Sequence, residues 1–160
     1  MGQIISISQA ASLSSRLKKE GKSICLVGGC FDVLHPGHVI FLEKAKKAGD
    51  ILVVLLESDE KIKKLKGVNR PVHTQKMRAI VLKALKFVDQ IILLPDMKDD
   101  SDYEKLIKKI KPDIIAATEG SLDNHLKKRI AKLAGAKFIY VTKMIGNHSS
   151  SSIIFKNGFS

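Results

Sequence analysis

Five short apolar runs recur along this chain, and amphipathic segments separate them. The runs are Ser23–Val27, Ile51–Leu56, Ile91–Leu94, Ile114–Ala117 and Lys137–Val141. Runs this short and this apolar read as strands buried on both faces, the pattern of parallel sheets. Residues 37–48 place Phe41, Leu42, Ala45 and Ala48 on one helical face, and Gly49-Asp50 ends that helix. Residues 58–65, 74–87, 102–111 and 123–134 read as further helices, with Thr74 as a cap and Pro112 as a stop. An earlier helix over 8–20 carries Ala11, Leu13 and Leu17 and breaks at Gly21. Strand and helix in alternation predict an α/β fold: a single-domain, doubly wound, Rossmann-like parallel sheet of five strands with helices on both faces. Residues 1–22 are expected to form an N-terminal helix or arm, and 23–160 the domain proper. No internal repeat or linker interrupts the pattern.

Composition narrows the partners. The 160 residues fit one compact domain, and a hydrophobic content of 44% supplies its core. Lys and Arg number 28 against 16 Asp and Glu, a net charge of +12. That balance predicts a polyanionic or phosphate-rich partner. The chain is too apolar for a disordered basic tail, and its composition excludes collagen-like, mucin-like and disulfide-scaffold classes. Only 5% of residues are aromatic and Trp is absent, which counts against a single-stranded nucleic acid that needs stacking platforms. No nucleic-acid-binding motif accompanies the charge. Cys25 and Cys30 read as small core or near-site residues in a reducing cytosol. Met1 to Lys22 lacks a signal-peptide pattern, and no apolar run approaches ~18 residues, so a cytoplasmic chain without a membrane span is expected.

Ligands of doubly wound sheets bind outside the carboxyl ends of the strands. The loop after the first run reads Gly28-Gly29-Cys30-Phe31-Asp32-Val33-Leu34-His35-Pro36-Gly37-His38. Its glycines let backbone N–H groups approach a ligand closely. His35 and His38 are three apart at a helix start, so both imidazoles converge on one object while Gly37 leaves space between them. The adjacent helix N-terminus favours an anion. A single histidine beside apolar residues is most often structural, and two histidines fall short of the three or four ligands zinc takes. No Walker loop or dinucleotide glycine fingerprint is present. Two histidines plus helix amides suit a triphosphate whose charge grows as pyrophosphate departs.

These residues resemble the cytidylyltransferase-like branch of the nucleotidyltransferases, whose signature is His-x-Gly-His after a G-x-F-D turn. Gly29-Cys30-Phe31-Asp32 and His35-Pro36-Gly37-His38 match it directly. Leu65-Lys66-Gly67, Arg70-Pro71-Val72, the helix around Arg78 and Val88-Asp89 follow in order, and Ser149 to Ile154 is similar to the family's closing Ser-Thr-Thr-x-Ile-Ile. The preamble, a short helix then Gly21-Lys22, is similar to that of the adenylyltransferase domain of bacterial ADP-heptose synthase.

The resemblance implies transfer of a nucleotidyl group, AMP favoured, from ATP (or CTP) to a phosphorylated acceptor such as heptose 1-phosphate. Pyrophosphate leaves with Mg²⁺ present. It implies His35, His38, Lys66 and Arg78 as catalytic residues. It places Gly28, Gly29, Cys30, Phe31, Asp32, Gly37, Thr118, Ser149, Ser150 and Ser151 on the nucleotide, and Lys66, Arg70 and Glu119 on the acceptor. No protein metal site is implied. The acceptor's phosphate is the nucleophile, so Cys30 is a turn residue. Met77 stands where Glu or Gln is usual, and Met144 where some relatives place Arg. The turn Ala117-Thr118-Glu119-Gly120-Ser121 lacks both the Lys-Gly-Gly-Asp-Tyr-like segment of heptose enzymes and the Gly-Asp-Asp-Trp-like one of glycerol-phosphate cytidylyltransferases. Base and acceptor therefore stay open, with a glycerol-3-phosphate-type cytidylyltransferase, an archaeal-type FAD synthetase and a basic nucleic-acid-binding module as alternatives. His73, His125 and His148 receive no role. A homodimer is expected by analogy. Residues 44–86 hold twelve Lys or Arg against four Asp or Glu, so much of the charge lies where it would steer a nucleotide-sized polyanion.

Overall fold

A computed structural model of the chain describes residues 1–143. In chain order the elements are β1 (Gln3–Ile4), α1 (Ile7–Lys19), β2 (Ile24–Gly29), α2 (Pro36–Lys47), β3 (Ile51–Leu56), α3 (Asp59–Lys66), α4 (Gln75–Lys83), β4 (Gln90–Leu93), α5 (Asp100–Ile110), β5 (Ile114–Glu119), α6 (Asn124–Ala134) and β6 (Lys137–Lys143). All strand pairs are parallel, in the order β1-β4-β3-β2-β5-β6. The sheet thus has six strands rather than the expected five. The extra one, β1, is two residues long, too short to carry a period of its own. Pairing alone creates it: Gln3 N–H donates to Asp89 O at 3.0 Å and Ile5 N–H to Ile91 O at 2.9 Å.

Helix boundaries follow local chemistry. Ser6 caps α1 in a reciprocal box with Gln9, and Ser58, Thr74 and Asp99 cap α3, α4 and α5 with side-chain oxygens. Lys111 ends α5 in the left-handed region, directly before Pro112. Helix α1 buries Ala10, Ser14 and Leu17, so its inward face is turned by one residue from the expected Ala11.

Alternate strand residues feed two cores. On one face Leu26, Val53, Leu55, Ile92 and Ile115 pack with Leu17 of α1, Ile107 of α5 and Ile130 of α6. On the other, Cys25, Val27, Val54 and Ile91 pack with Leu42 of α2 and Leu82 of α4. Burying both faces explains why the strands read as continuous apolar runs.

The winding sets the ligand crevice. The chain passes from central β2 outward through β3 to β4, then crosses to β5 and β6 on the other side of β2. Strand β2 pairs β3 over six residues, Ile24 to Gly29, but pairs β5 only at Cys25 and Leu26. Beyond that point β2 and β5 have no paired residues, and the carboxyl ends open at the topological switch.

The Val88-Asp89 motif has a structural task. Asp89 Oδ2 accepts from Leu52 N–H and from Lys46 Nζ, each at 2.7 Å, joining β3, α2 and the entry to β4. Replacing Asp89 with Ala leaves a partly buried strand N–H without its acceptor. We expect that variant to lose about 1–3 kcal/mol in urea unfolding, with the fold retained.

Candidate active site

Strand β2 runs through both glycines, and the chain then turns sharply through Cys30, Phe31 and Asp32. Phe31 adopts φ +43°, a left-handed conformation that a bulky residue holds only when its surroundings fix it. Its buried ring lies against Gly29, where an added Cβ would stand 2.9 Å from the ring. The same ring packs on His38, with centroids 5.3 Å apart.

Asp32 has no exposed side-chain surface. Its carboxylate takes Arg70 Nε and Nη2 at 2.6 Å, Val72 N–H at 2.8 Å and His73 N–H at 3.2 Å. These contacts pin the loop after α3 across the β2 turn. Arg78 works from below. Its guanidinium, also without exposed surface, donates to His73 O at 3.0 Å, Glu57 O at 2.8 Å, Asp59 Oδ1 at 2.7 Å and Cys30 O. The sequence reading puts Arg78, Arg70 and Asp32 on ligands. In the structure Arg78's fork is taken up by protein oxygens and Arg70 is buried with Asp32. Arg78, engaged this fully, holds the loops and has little capacity left for a phosphate.

The two histidines do converge. His35 caps α2 and His38 occupies its third position, with ring centroids 3.8 Å apart. His35 N–H donates to His38 Nδ1 at 3.4 Å, so the proton of a neutral His38 ring sits on Nε2. Burial, then His35, then the Lys66 charge push His38 down to about 3, so its ring is neutral at neutral pH. Gly37 lies close against the His35 ring, since a Cβ there would meet His35 Cε1 and Nδ1 at 3.0 Å and crowd it. Lys66 is the exposed last residue of α3, and its charge acts on both His38 and Cys30, placing it within reach of the turn.

Gly28 and Cys30 line the strand end. Burial raises the Cys30 thiol, in keeping with a turn residue that is not a nucleophile. Thr118 and Glu119 end β5, on the far side of the β2–β5 split. Thr118 Oγ1 bonds Thr142 Oγ1 at 3.0 Å and its carbonyl accepts from Asn124 Nδ2 at 2.9 Å, while exposed Glu119 stands 3.8 Å from Lys143. Ser149, Ser150 and Ser151, with Met144 and His148, lie outside the described residues. His73 and His125 are exposed. Among the described residues no three His, Cys, Asp or Glu side chains converge on a metal position. No sequence motif marks Glu57 or Tyr103. Glu57 follows the apolar run of β3 at the carboxyl edge, which is the one signal that could have singled it out.

Two outcomes test this geometry. Asp32→Asn leaves Arg70 buried without its counter-charge, and denaturant unfolding should show a loss of about 3–5 kcal/mol. His38 is held neutral in the fold but ionises when unfolded. Between about 3 and the ordinary histidine value the unfolded chain therefore binds the extra proton. Its stabilising contribution is whole above that ordinary value and is lost as pH falls through the window. His38→Gln should flatten the pH dependence of unfolding there.

Comparison with known proteins places this geometry in a family. The cytidylyltransferase-like family model matches residues 26–157. The chain is 41% identical over 144 residues to bifunctional protein HldE of Campylobacter fetus, covering 88% of this chain and 29% of that one. It is 47% identical over 103 residues to bifunctional protein HldE of Nitratiruptor, covering 64% and 21%. It therefore spans less than a third of either relative. Among solved structures, the lipopolysaccharide core biosynthesis protein of Thermoplasma volcanium is similar at 29% identity and TM-score 0.62, over 81% of this chain and all of that one. The pantoate-beta-alanine ligase of Francisella tularensis, at 18% identity and TM-score 0.65 over 99% of this chain and 77% of that one, shares the fold alone. With the His-x-Gly-His pair at the carboxyl end of β2 and a matched region reaching from β2 past β6, the chain belongs to the cytidylyltransferase-like family.

Proposed function

We propose that this chain is a nucleotidyltransferase that moves AMP from ATP to a sugar phosphate of the heptose 1-phosphate kind. The observation that carries the reading is the paired His35 and His38 at the start of α2, beside the opened end of β2. Similarity to the HldE proteins and to a lipopolysaccharide core biosynthesis protein supports a sugar-phosphate acceptor and a place in surface-polysaccharide synthesis. The glycerol-phosphate, FAD and nucleic-acid alternatives are not favoured.

In this mechanism an acceptor phosphate oxygen donates a lone pair to the α-phosphorus. The bond from that phosphorus to the bridging oxygen breaks, and pyrophosphate leaves with the electron pair. Little covalent work falls to the protein, so positioning and charge stabilisation carry catalysis. Neutral His38 offers Nε2–H as a donor without first losing a proton, and the α2 N-terminus adds its amides and dipole. Lys66 adds a mobile positive charge. The phosphate-bearing loop is kept in place by Asp32 and Arg78 from behind. Mg²⁺ bound with the nucleotide would neutralise phosphate charge, and among the described residues no three His, Cys, Asp or Glu side chains converge to hold it apart from the nucleotide. A cytoplasmic homodimer completes the proposal. No described helix is long and apolar enough to cross a membrane.

Pyrophosphate release, measured with ATP and CTP against heptose 1-phosphate, glycerol 3-phosphate and FMN, decides the reading. ATP with the heptose phosphate should be turned over fastest. His38→Ala should lower kcat by about 10²–10³-fold, the size of losing one transition-state donor, with circular dichroism unchanged. A near-parental rate in that variant, or no turnover with any pair, contradicts the proposal.

A further inference from the structure

A cavity of about 250 Å³ opens on the sheet face opposite α2, at the carboxyl ends of β2, β3 and β5. One wall is the Gly28–Cys30 strand end, the backbone that leads into the histidine turn. The others bring Glu57 from the end of β3, Lys61 from α3, Tyr103 from α5, and Asp123 and Lys127 from the start of α6. Its floor is aliphatic, from residues such as Ile107 and Ile115. An added Cβ on Gly28 would make ordinary contact with Leu55 Cβ at 3.8 Å, without a clash.

The polar groups face one another. Tyr103 O–H stands 2.9 Å and 3.1 Å from the two Glu57 carboxylate oxygens. Burial raises the Glu57 carboxyl, the Tyr103 hydrogen bond and Lys61 oppose that, and Asp123 and Lys127 act on it with opposite signs, so these groups share one space. Asp123 is itself held by Ser121 Oγ at 2.6 Å and Lys127 Nζ at 2.8 Å. An ionised carboxylate has about four acceptor positions. The Tyr103 phenol spans both Glu57 oxygens, and an ionised carboxylate lining the cavity keeps further acceptor positions beside it.

Carboxylates over an aliphatic floor suit hydroxyl donors and the C–H face of a ring, and the cavity's lysines are already engaged, Lys127 with Asp123 and Lys61 over the Tyr103 ring. The volume is below the ~300–1,000 Å³ of drug-sized sites, which suits a compact ligand. We propose that this cavity holds the hydroxyl-bearing ring of the phosphorylated acceptor, with Glu57 and Tyr103 as its specificity-determining contacts. The acceptor's phosphate then lies at the Gly28–Cys30 edge, toward Lys66 and the histidines, where its oxygen attacks the α-phosphorus and pyrophosphate leaves. This inference rests on the transfer reaction proposed above and adds the acceptor's class and orientation. The contacts belong to side chains alone. The Glu57 backbone, which meets Gly29 O and Arg78, is untouched by changing its carboxyl.

The test is steady-state kinetics of the intact chain and its Glu57→Gln and Tyr103→Phe variants, varying ATP and heptose 1-phosphate separately. Glu57→Gln should raise the acceptor KM about tenfold or more, the size of losing a hydrogen bond to a charged group, and Tyr103→Phe should raise it less. The KM for ATP should stay within twofold in both. An acceptor KM unchanged in both variants, with turnover intact, overturns the cavity assignment while leaving the transfer reaction standing. If the parent chain releases no pyrophosphate, the transfer reaction fails instead, and calorimetric titration of heptose 1-phosphate alone decides the cavity. Binding weakened about tenfold by Glu57→Gln supports it, and absent or unaltered binding overturns it.

Discussion

The buried carboxylate of Asp32 is the contact on which the site's geometry depends. It gathers the Arg70 guanidinium and two backbone N–H groups from a loop some forty residues away in sequence. Both charges of the pair are out of water, so the arrangement is tolerable only because the remaining polar atoms around it are also engaged. Arg78 completes the clamp from the opposite side, joining the β2 turn, the end of β3 and the same loop. Between them these two residues fix where the chain can go after β2. Phe31 is then held in a left-handed conformation, with its ring against His38.

That rigidity has a chemical consequence. The histidine rings are in contact, tilted by 32° and partly buried, and His38 stays neutral with its proton directed by the His35 backbone. A neutral donor set at a helix start is preorganised for charge that develops during reaction, with no reorganisation needed at that moment. Lys66 sits on an exposed helix end next to Gly67, at φ +99°, and supplies charge from a segment with more freedom. The split between β2 and β5 puts this fixed turn at the mouth of the crevice. The cavity on the opposite face uses the same Gly28–Cys30 backbone as its wall. One short stretch of chain thus serves two faces of the sheet.

Much of this was legible in the sequence. The five apolar runs became β2 to β6, the inner ones because burial on both faces leaves no polar alternation to confuse the reading, while edge strand β6 is mostly exposed or half-buried. The two-residue β1 was not legible, since its identity comes from pairing with β4 and from nothing local. The His-x-Gly-His spacing indicated the convergence of the two rings, and Gly37 lies against the His35 ring, where a Cβ would crowd it. Arg78 and Asp32 were recognisable as important but not in kind, because a motif arginine facing phosphate and one facing four protein oxygens look alike in one dimension. Glu57, Tyr103, Asp123 and Lys127 were invisible as a group: they arrive from separate elements, and only the crossover from β4 to β5 brings them around one space.

The central claim, nucleotidyl transfer by attack at the α-phosphorus, is tested most directly by isotopic tracing with heptose 1-phosphate as acceptor. ATP labelled at the α-phosphate should pass its label to the sugar nucleotide, and ATP labelled at the β- or γ-phosphate should deliver it wholly to pyrophosphate. Gamma label appearing on the sugar, or no transfer from any position, would contradict the account.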